Sequence, residues 1–192
     1  MRTRFTHEPP MAPNATIHKV ELQISDMDRN YYATHVLTLA KHPSETEERL
    51  LVRLLTFALF ADDYLEFGKG LSSDSEPDLW RKEFTGVIAL WIELGQPDES
   101  RIRKACGRAE HVVIINHHGN ASDIWWDKMG GALDRLNNVS VINIPVDQVA
   151  ALPALLGRSM RLNCIIQDHH VQLMDDSHCV DIEPQWRLTA DI

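Results

Sequence analysis

The sequence has little of several features that would by themselves assign it to a class of protein. Only three residues are cysteines, and their spacing matches neither a disulfide framework nor a zinc site. No run of about 18 uncharged apolar residues is present, which argues against a membrane-spanning helix. Basic residues are not in excess, because the net charge is −9. These absences favour a protein of the reducing cytoplasm and disfavour one that coats nucleic acid through many phosphate contacts.

What is present suits a single globular domain. The chain is 44% hydrophobic and contains five tryptophans, which is enough to form a sizeable core. Residues 1–14 contain three prolines and lack the apolar segment of a signal peptide, so they are predicted to be a flexible leader. Residues 15–174 are then the domain, and residues 175–192 are predicted to be a loosely held tail.

The periodicity of the apolar residues predicts a mixture of strands and helices. The segments "ATIHKVELQISD" and "NYYATHVLTLAKH" are predicted to form an antiparallel hairpin. Ser44 and Glu47 match a capping box that would begin a central helix. The predicted order is ββ, then αβββαβ over about 44–116, then αβαββ. The expected fold class is therefore α/β (α+β), with a mixed β-sheet that has helices on both faces.

One predicted hairpin, "EPDLWRKEFTGVIALWIELGQPD", brings two acidic residues together. If the chain reverses at Thr85-Gly86, Asp78 lies opposite Glu93. Directly opposed side chains of an antiparallel pair are about 5 Å apart, so two carboxylates would repel each other there. A divalent cation would offset the repulsion, since Mg²⁺ binds through one or two carboxylates. Exposure at the strand end, or a register slip of one residue, would remove the repulsion without any cation.

Three stretches closely resemble the bacterial YaeQ family: "ATIHKVELQISDMDRNYYATHVLTLAKHPSETEERL", "EPDLWRKEFTGVIALWIELGQPDESRIRKACGRA" and "RSMRLNCIIQD". The resemblance extends from Ala15 to about Met174. It implies a variation on the PD-(D/E)XK nuclease core, which has the αβββαβ order. The resemblance therefore implies a divalent-metal-dependent nuclease or phosphodiesterase that acts on nucleic acid.

The same resemblance implies roles for individual residues. Asp78 and Glu93 take the places of the metal-binding acids, with Mg²⁺ or Mn²⁺ as the cofactor. Glu45 resembles an additional acidic ligand, although it also suits a partner of the helix dipole. The PD-(D/E)XK pattern has a lysine where this chain has Gly95. Gln96 is therefore a candidate for orienting the attacking water.

Lys104 is the second candidate for that role, and it belongs to a basic stripe. Arg101, Lys104 and Arg108 share one face of a predicted helix. This stripe and Trp80 are the predicted nucleic-acid-binding residues, while a solvated helix face is the alternative. Two histidine pairs, including His117-His118, are expected to point to opposite faces of a strand and to hold no metal.

Two functions are consistent with these residues. The first is metal-dependent hydrolysis of nucleic acid by Asp78, Glu93, Gln96 and Lys104. The second is a catalytically degenerate nuclease fold with a binding or regulatory role, for instance in transcription. Gly95 favours the second function, and the two acids favour the first. No membrane partner is expected.

Overall fold

The computed structural model describes residues 15–68 and 75–190, so the predicted leader lies outside the described residues. The elements follow one another in this order: β1 (Thr16–Asp26), β2 (Tyr31–Lys41), α1 (Glu47–Leu59), β3 (Leu65–Phe67), β4 (Leu79–Lys82), β5 (Ile88–Leu94), α2 (Glu99–Cys106), β6 (Ala109–Asn116), α3 (Asn120–Leu133), β7 (Val139–Asn143), α4 (Val146–Ala151), β8 (Ser159–Gln167), β9 (His170–Met174), β10 (Cys179–Ile182) and β11 (Gln185–Leu188). A 3₁₀ turn, Leu152–Leu155, follows α4.

The mixed α+β class is confirmed, but the strands form two sheets and the prediction of one sheet is wrong. One sheet has five strands in the order β10-β9-β8-β1-β2, and the other has six in the order β11-β7-β6-β5-β4-β3. Both sheets are mixed, because β1 and β8 are parallel in the first and β5, β6 and β7 are parallel in the second. Local sequence patterns do not indicate this division, because it depends on β1 pairing with a strand near the other end of the chain.

The central order of elements agrees with the prediction. From α1 to β6 the chain runs αβββαβ, and this segment contributes β3, β4, β5 and β6 to the six-stranded sheet. Because β5 and β6 are parallel, their carboxyl ends lie at the same edge of the sheet. In open sheets of this kind the crevice at that edge is the usual place for a ligand.

Helix α1 is buried along most of its length. Every residue from Leu50 to Ala58 is buried. The helix begins two residues later than predicted, because Thr46 is the N-cap and its Oγ1 accepts a hydrogen bond from the Arg49 amide at 3.1 Å. Ser44 instead contacts Nδ1 of His42 at 2.6 Å. In the described ranges, no helix combines the length and the apolar composition that a membrane crossing requires.

The six-stranded sheet has a hydrophobic cluster on each face. Val113 and Ile115 of β6 belong to the cluster that also contains α1 and the five-stranded sheet. Val112 and Ile114, which alternate with them, belong to a second cluster with Ile102 of α2. Helices therefore cover both faces of this sheet, as the run of apolar residues in β6 predicted.

The register of the predicted hairpin is confirmed over most of its length. Trp80 of β4 lies opposite Trp91 of β5, with edge-to-face rings whose centroids are 6.2 Å apart. The register shifts by one residue at Lys82, near the turn. The Gly86 amide closes the turn by donating to the Glu83 carbonyl at 2.9 Å. The shift lies on the side of the turn, so Leu79 and Trp80 keep the predicted register with Ile92 and Trp91.

The expectation of a loosely held tail is wrong for the described part of residues 175–192. Strand β10 pairs with β9, and β11 pairs with β7, so this segment adds one strand to each sheet. Val180 and Ile182 point into the core and are buried. The four-residue strands are too short to give a strong periodic pattern in the sequence.

Candidate functional site

The three predicted acidic residues lie where α1, β4 and β5 meet. Asp78 immediately precedes β4, Glu93 is the sixth residue of β5, and Glu45 precedes the N-cap of α1. All three are buried, with exposed fractions of 7%, 4% and 4%. The amide of Asp78 donates to the carbonyl of Ile92 at 3.0 Å, although Ile92 is already the register partner of Leu79. This bond departs by one residue from the predicted register, so it does not set Asp78 directly opposite Glu93.

Asp78 is held by one backbone amide and one arginine. Its Oδ2 accepts a hydrogen bond from the Leu94 amide at 2.8 Å. Its Oδ1 accepts one from Nη2 of Arg49 at 2.5 Å. Charge-assisted bonds of this length are among the stronger hydrogen bonds in proteins. Asp78 is therefore paired with a cation that comes from α1.

Glu45 has two arginine partners. Its Oε1 accepts from Nη1 of Arg49 at 2.9 Å, and its Oε2 accepts from Nη2 of Arg53 at 3.0 Å. Arg53 is 3% exposed and also donates to the carbonyl of Ala40 at 2.9 Å. Burial lowers the pKa of Arg53, and the carboxylate of Glu45 opposes that change. Arg49 thus bridges Glu45 and Asp78 with its two terminal nitrogens.

Glu93 is paired on the other side of the cluster, with α2. Its Oε1 accepts hydrogen bonds from Nε1 of Trp91 at 2.7 Å and from Nε of Arg101 at 2.9 Å. Burial raises the pKa of Glu93 above its ordinary value. The hydrogen bonds from Trp91 and Arg101 act in the opposite direction, while the negative charge of Asp78 adds to the increase.

The cluster contains the carboxylates that a divalent cation would need, but these carboxylates are already paired with arginines. Carboxylate oxygens are ligands that Mg²⁺ and Mn²⁺ accept. However, each of the three carboxylates already accepts a hydrogen bond from a guanidinium group. Among residues 15–68 and 75–190, no three His, Cys, Asp or Glu side chains are grouped so that they could hold a metal ion. The acids and arginines of the cluster balance in charge: Glu45, Asp78 and Glu93 against Arg49, Arg53 and Arg101.

Gly95 follows β5 in a backbone conformation that other residues rarely adopt. Its φ is +98°, in the region that favours glycine. A Cβ atom built there would lie 4.0 Å from Cε1 of His118, which is an ordinary contact distance. Backbone strain, rather than lack of space, therefore opposes a lysine at this position.

Gln96 is held by the segment that follows β6. Its Nε2 donates to Oγ of Ser122 at 3.0 Å and to Nδ1 of His118 at 3.2 Å. The hydrogen bonds of Gln96 thus go to the start of α3. The role of Gln96 in orienting a water stays a prediction.

The side chains of His117 and His118 are oriented differently from the prediction. The rings of His117 and His118 lie 4.0 Å apart, so the expectation that they point to opposite faces is wrong. The alternation does not apply, because β6 ends at Asn116. Burial lowers the pKa of His117 to about 4, and His118 and Arg49 contribute to the decrease. The pKa of His118 is lowered by burial and then by Arg49.

The predicted basic stripe lines a cavity beside α2. Arg101, Lys104 and Arg108 surround this cavity of about 220 Å³ together with Trp91. The guanidinium of Arg108 lies 5.2 Å from the centroid of the Trp91 ring, and its Nη1 donates to the carbonyl of Ser75 at 3.2 Å. The three basic side chains are therefore gathered on one side of Glu93.

Trp80 lies outside this cavity. Its ring is half-buried, and Nζ of Lys82 lies 3.2 Å from the ring centroid. A cation at this distance is attracted by the face of the ring. A base could stack on that face only if Lys82 moved, so the role of Trp80 in binding nucleic acid stays a prediction.

Arg49 and Arg53 are the residues of this cluster that the sequence reasoning missed. Their spacing from Glu45 is four residues and then four again, which is the spacing that places side chains on one face of a helix. This pattern was a usable signal. The 29-residue separation between Arg49 and Asp78 was not accessible from local patterns.

Comparison with known proteins agrees with this architecture. The family described as "YaeQ protein" matches residues 11–184, a longer span than the quoted stretches suggested. The YaeQ protein of Escherichia coli (strain K12) is 41% identical over 172 residues, which cover 90% of this chain and 95% of that protein. The YaeQ protein of Salmonella typhi is 40% identical over 173 residues, or 90% and 96% of the two chains.

Two solved structures have the same fold. The crystal structure of YaeQ from Xanthomonas axonopodis pv. citri superposes with a TM-score of 0.89 at 56% identity, and it covers 91% of this chain and 99% of that one. The YaeQ structure from Pseudomonas syringae gives a TM-score of 0.86 at 34% identity, with 91% and 97% covered. Since sequence and structure agree over nine-tenths of its length, the chain belongs to the YaeQ family.

Proposed function

We propose that this protein binds the phosphate backbone of nucleic acid through the basic side of its acidic cluster and does not hydrolyse it. It would then be a nuclease-type core with a binding or regulatory role. The observation that carries the proposal is that Glu45, Asp78 and Glu93 each accept a hydrogen bond from an arginine. A cluster that is already neutral has no strong electrostatic reason to recruit a divalent ion.

The cavity beside α2 supplies the proposed binding surface. Arg101, Lys104 and Arg108 meet there, and cationic side chains at a local site are sufficient to contact a phosphodiester. The net charge of −9 limits the affinity away from this site, so we expect few phosphate contacts and a shallow dependence on salt. The contribution of Trp80 would be to stack on an exposed base.

Gly95 and Gln96 support binding over hydrolysis. The PD-(D/E)XK pattern has a lysine at the place of Gly95, where the φ of +98° disfavours any side chain. Gln96, the neighbouring candidate, donates its hydrogen bonds to Ser122 and His118. A water over the cluster would therefore lack the group that usually orients it.

Metal-dependent hydrolysis remains the second candidate, and one observation favours it. The negative charge of Asp78 contributes to the raised pKa of Glu93, so the two carboxylates repel each other. A Mg²⁺ or Mn²⁺ ion would remove that repulsion and could polarise a phosphate. In this candidate Asp78 and Glu93, with Glu45, hold the ion, and Gln96 or Lys104 attends the water.

We place the protein in the cytoplasm. Its three cysteines are free thiols, and Cys179 is exposed. Free thiols are typical of proteins that work in a reducing compartment.

Fluorescence anisotropy with labelled single-stranded and double-stranded DNA and RNA tests the proposal, in EDTA and then in Mn²⁺. We expect binding in EDTA and an intact oligonucleotide in both conditions. Lys104→Ala with Arg108→Ala should weaken binding by roughly tenfold and reduce the slope of log K against log salt by about 0.9 for each phosphate that is no longer neutralised. The matched control is Arg103→Ala, because Arg103 lies on the same helix but pairs with Glu99 in solvent.

Three other outcomes of this experiment would contradict the proposal. Cleavage that depends on Mn²⁺ and is abolished in Asp78→Asn would establish the second candidate instead. If no oligonucleotide binds in either condition, both candidates fail. Equal weakening by Arg103→Ala would mean that general charge, rather than the cavity, attracts the nucleic acid.

A further inference from the structure

Arg49 lies between Glu45 and Asp78 and contacts both carboxylates. Its Nη1 lies 2.9 Å from Oε1 of Glu45, and its Nη2 lies 2.5 Å from Oδ1 of Asp78. The two carboxylates come from parts of the chain that are about thirty residues apart, and both are buried. A buried pair of carboxylates needs a positive partner, because water is not there to stabilise their charges.

We propose that Arg49 is an internal cation that closes this acidic cluster to divalent metal ions. A guanidinium group is planar and carries its donors in a fixed fork, so it can bridge two carboxylates as an ion does. It differs from an ion in that it is covalently attached to α1 and cannot dissociate. The effective concentration of this cation at the site is therefore constant, and a divalent ion must displace it to bind.

The remaining oxygens of the two acids reinforce this arrangement. Oδ2 of Asp78 accepts from the Leu94 amide at 2.8 Å, and Oε2 of Glu45 accepts from Arg53 at 3.0 Å. All four carboxylate oxygens therefore accept a hydrogen bond. An ion that entered between Glu45 and Asp78 would break the two bonds to Arg49, whereas the bonds to Leu94 and Arg53 could persist.

A single substitution of Arg49 should allow a divalent metal ion to bind to the cluster. In Arg49→Gln the bridging cation is gone, while Glu45 and Asp78 keep their other partners. Two carboxylate oxygens that lack a cation then provide ligands of the type that Mn²⁺ accepts. The variant should gain a metal site that the natural sequence suppresses.

Isothermal titration of Mn²⁺ into the protein without nucleic acid tests this, with the thermal midpoint as a second readout. We expect Arg49→Gln to bind Mn²⁺ at least roughly tenfold more tightly than the wild type, and its midpoint to rise with Mn²⁺ concentration. Adding Asp78→Asn to this variant should abolish the gain. Arg103→Gln is the matched control, since it also breaks a Glu–Arg pair with a spacing of four residues, at an exposed position.

Two results would overturn the inference. The first is a folded Arg49→Gln protein that binds Mn²⁺ no better than the wild type. The second is tight Mn²⁺ binding by the wild type that is abolished in Asp78→Asn, a measurement that holds even if Arg49→Gln does not fold. Neither experiment involves nucleic acid, so failure here and failure of the proposed function are separate.

Discussion

Two Glu–Arg pairs of the same spacing, one at the start of α1 and one on α2, differ in their burial. On the α1 side, Glu45 and Arg49 are four residues apart and their side chains are 2% and 16% exposed. On the α2 side, Glu99 and Arg103 have the same spacing and their side chains are 47% and 54% exposed. The nitrogen–oxygen distances are similar, at 2.9 and 2.7 Å. The burial of each pair, rather than its geometry, therefore decides how much the pair contributes to the free energy of unfolding.

This comparison distinguishes a side of the site that stabilises the fold from the side that we propose to bind nucleic acid. Breaking a buried ion pair leaves an uncompensated charge, whereas an exposed pair is screened by water. Substitutions on the α1 side should therefore change the free energy of unfolding. Substitutions of Lys104 and Arg108 on the α2 side should change affinity and leave that free energy almost unaltered.

The largest effect is expected for Arg53→Met on the α1 side. Arg53 is 3% exposed, and without it Oε2 of Glu45 loses its partner inside the protein. We expect a loss of about 3–5 kcal/mol in the free energy of unfolding, measured by urea denaturation. The matched change Arg103→Met should cost about 0.3–0.5 kcal/mol. Similar losses in the two variants would mean that the two sides do not differ.

A smaller effect is expected at Gly95, which follows β5. Gly95→Lys supplies the lysine of the PD-(D/E)XK pattern but places a side chain at a φ of +98°. We expect a loss of stability of about 1–3 kcal/mol and no gain of nuclease activity. Gly107→Lys serves as a control, since Gly107 has a φ of −78° and does not require glycine. Metal-dependent cleavage by Gly95→Lys would contradict the proposal of binding without hydrolysis.

The smallest effect is expected for Glu93→Gln, and it depends on pH. Because the folded state raises the pKa of Glu93, folding favours its protonated form. The ionised carboxylate therefore destabilises the folded protein, and the penalty develops as the pH rises above the ordinary value of 4.5. Glu93→Gln should be more stable than the wild type at neutral pH, by about 1.4 kcal/mol for each unit by which the pKa is raised.

The measurement is the midpoint of urea unfolding of both proteins between pH 4 and pH 8. The two stabilities should converge toward acidic pH, where Glu93 is protonated in the folded and the unfolded state. If the wild type were instead more stable than Glu93→Gln at neutral pH, by a margin that shrank as the pH fell, ionised Glu93 would stabilise the fold through Arg101.

Local information explains which parts of this structure were predictable. The pairing of Trp80 with Trp91 follows from a turn within the same short segment, and it was predicted from the sequence. The two-sheet arrangement depends on β1 pairing with β8, for which no local pattern exists. The strands β10 and β11 were missed because four residues are too few for a periodic signal.

Local sequence patterns also predicted only part of the candidate site. Hairpin arithmetic predicted Asp78 opposite Glu93, and the charge of Asp78 does act on Glu93. The backbone hydrogen bond from Asp78 to Ile92 nevertheless departs by one residue from the predicted register. The arithmetic carried no information on the side chains that approach from α1 and α2. The contact between Arg49 and Asp78 is a product of tertiary packing. Because of this contact, we expect the arginine, and not a divalent metal ion, to neutralise the charge of Asp78.

The parallel pairing of β1 with β8 has a consequence for how the protein is made. Lys19 is in register with Ser159, so a β-hairpin near the amino terminus is joined to a strand that is synthesised 140 residues later. Until that strand emerges from the ribosome, one long edge of the hairpin has unpaired amide and carbonyl groups. Exposed edges of this kind invite association between nascent chains, so early encounter with a chaperone would favour correct folding.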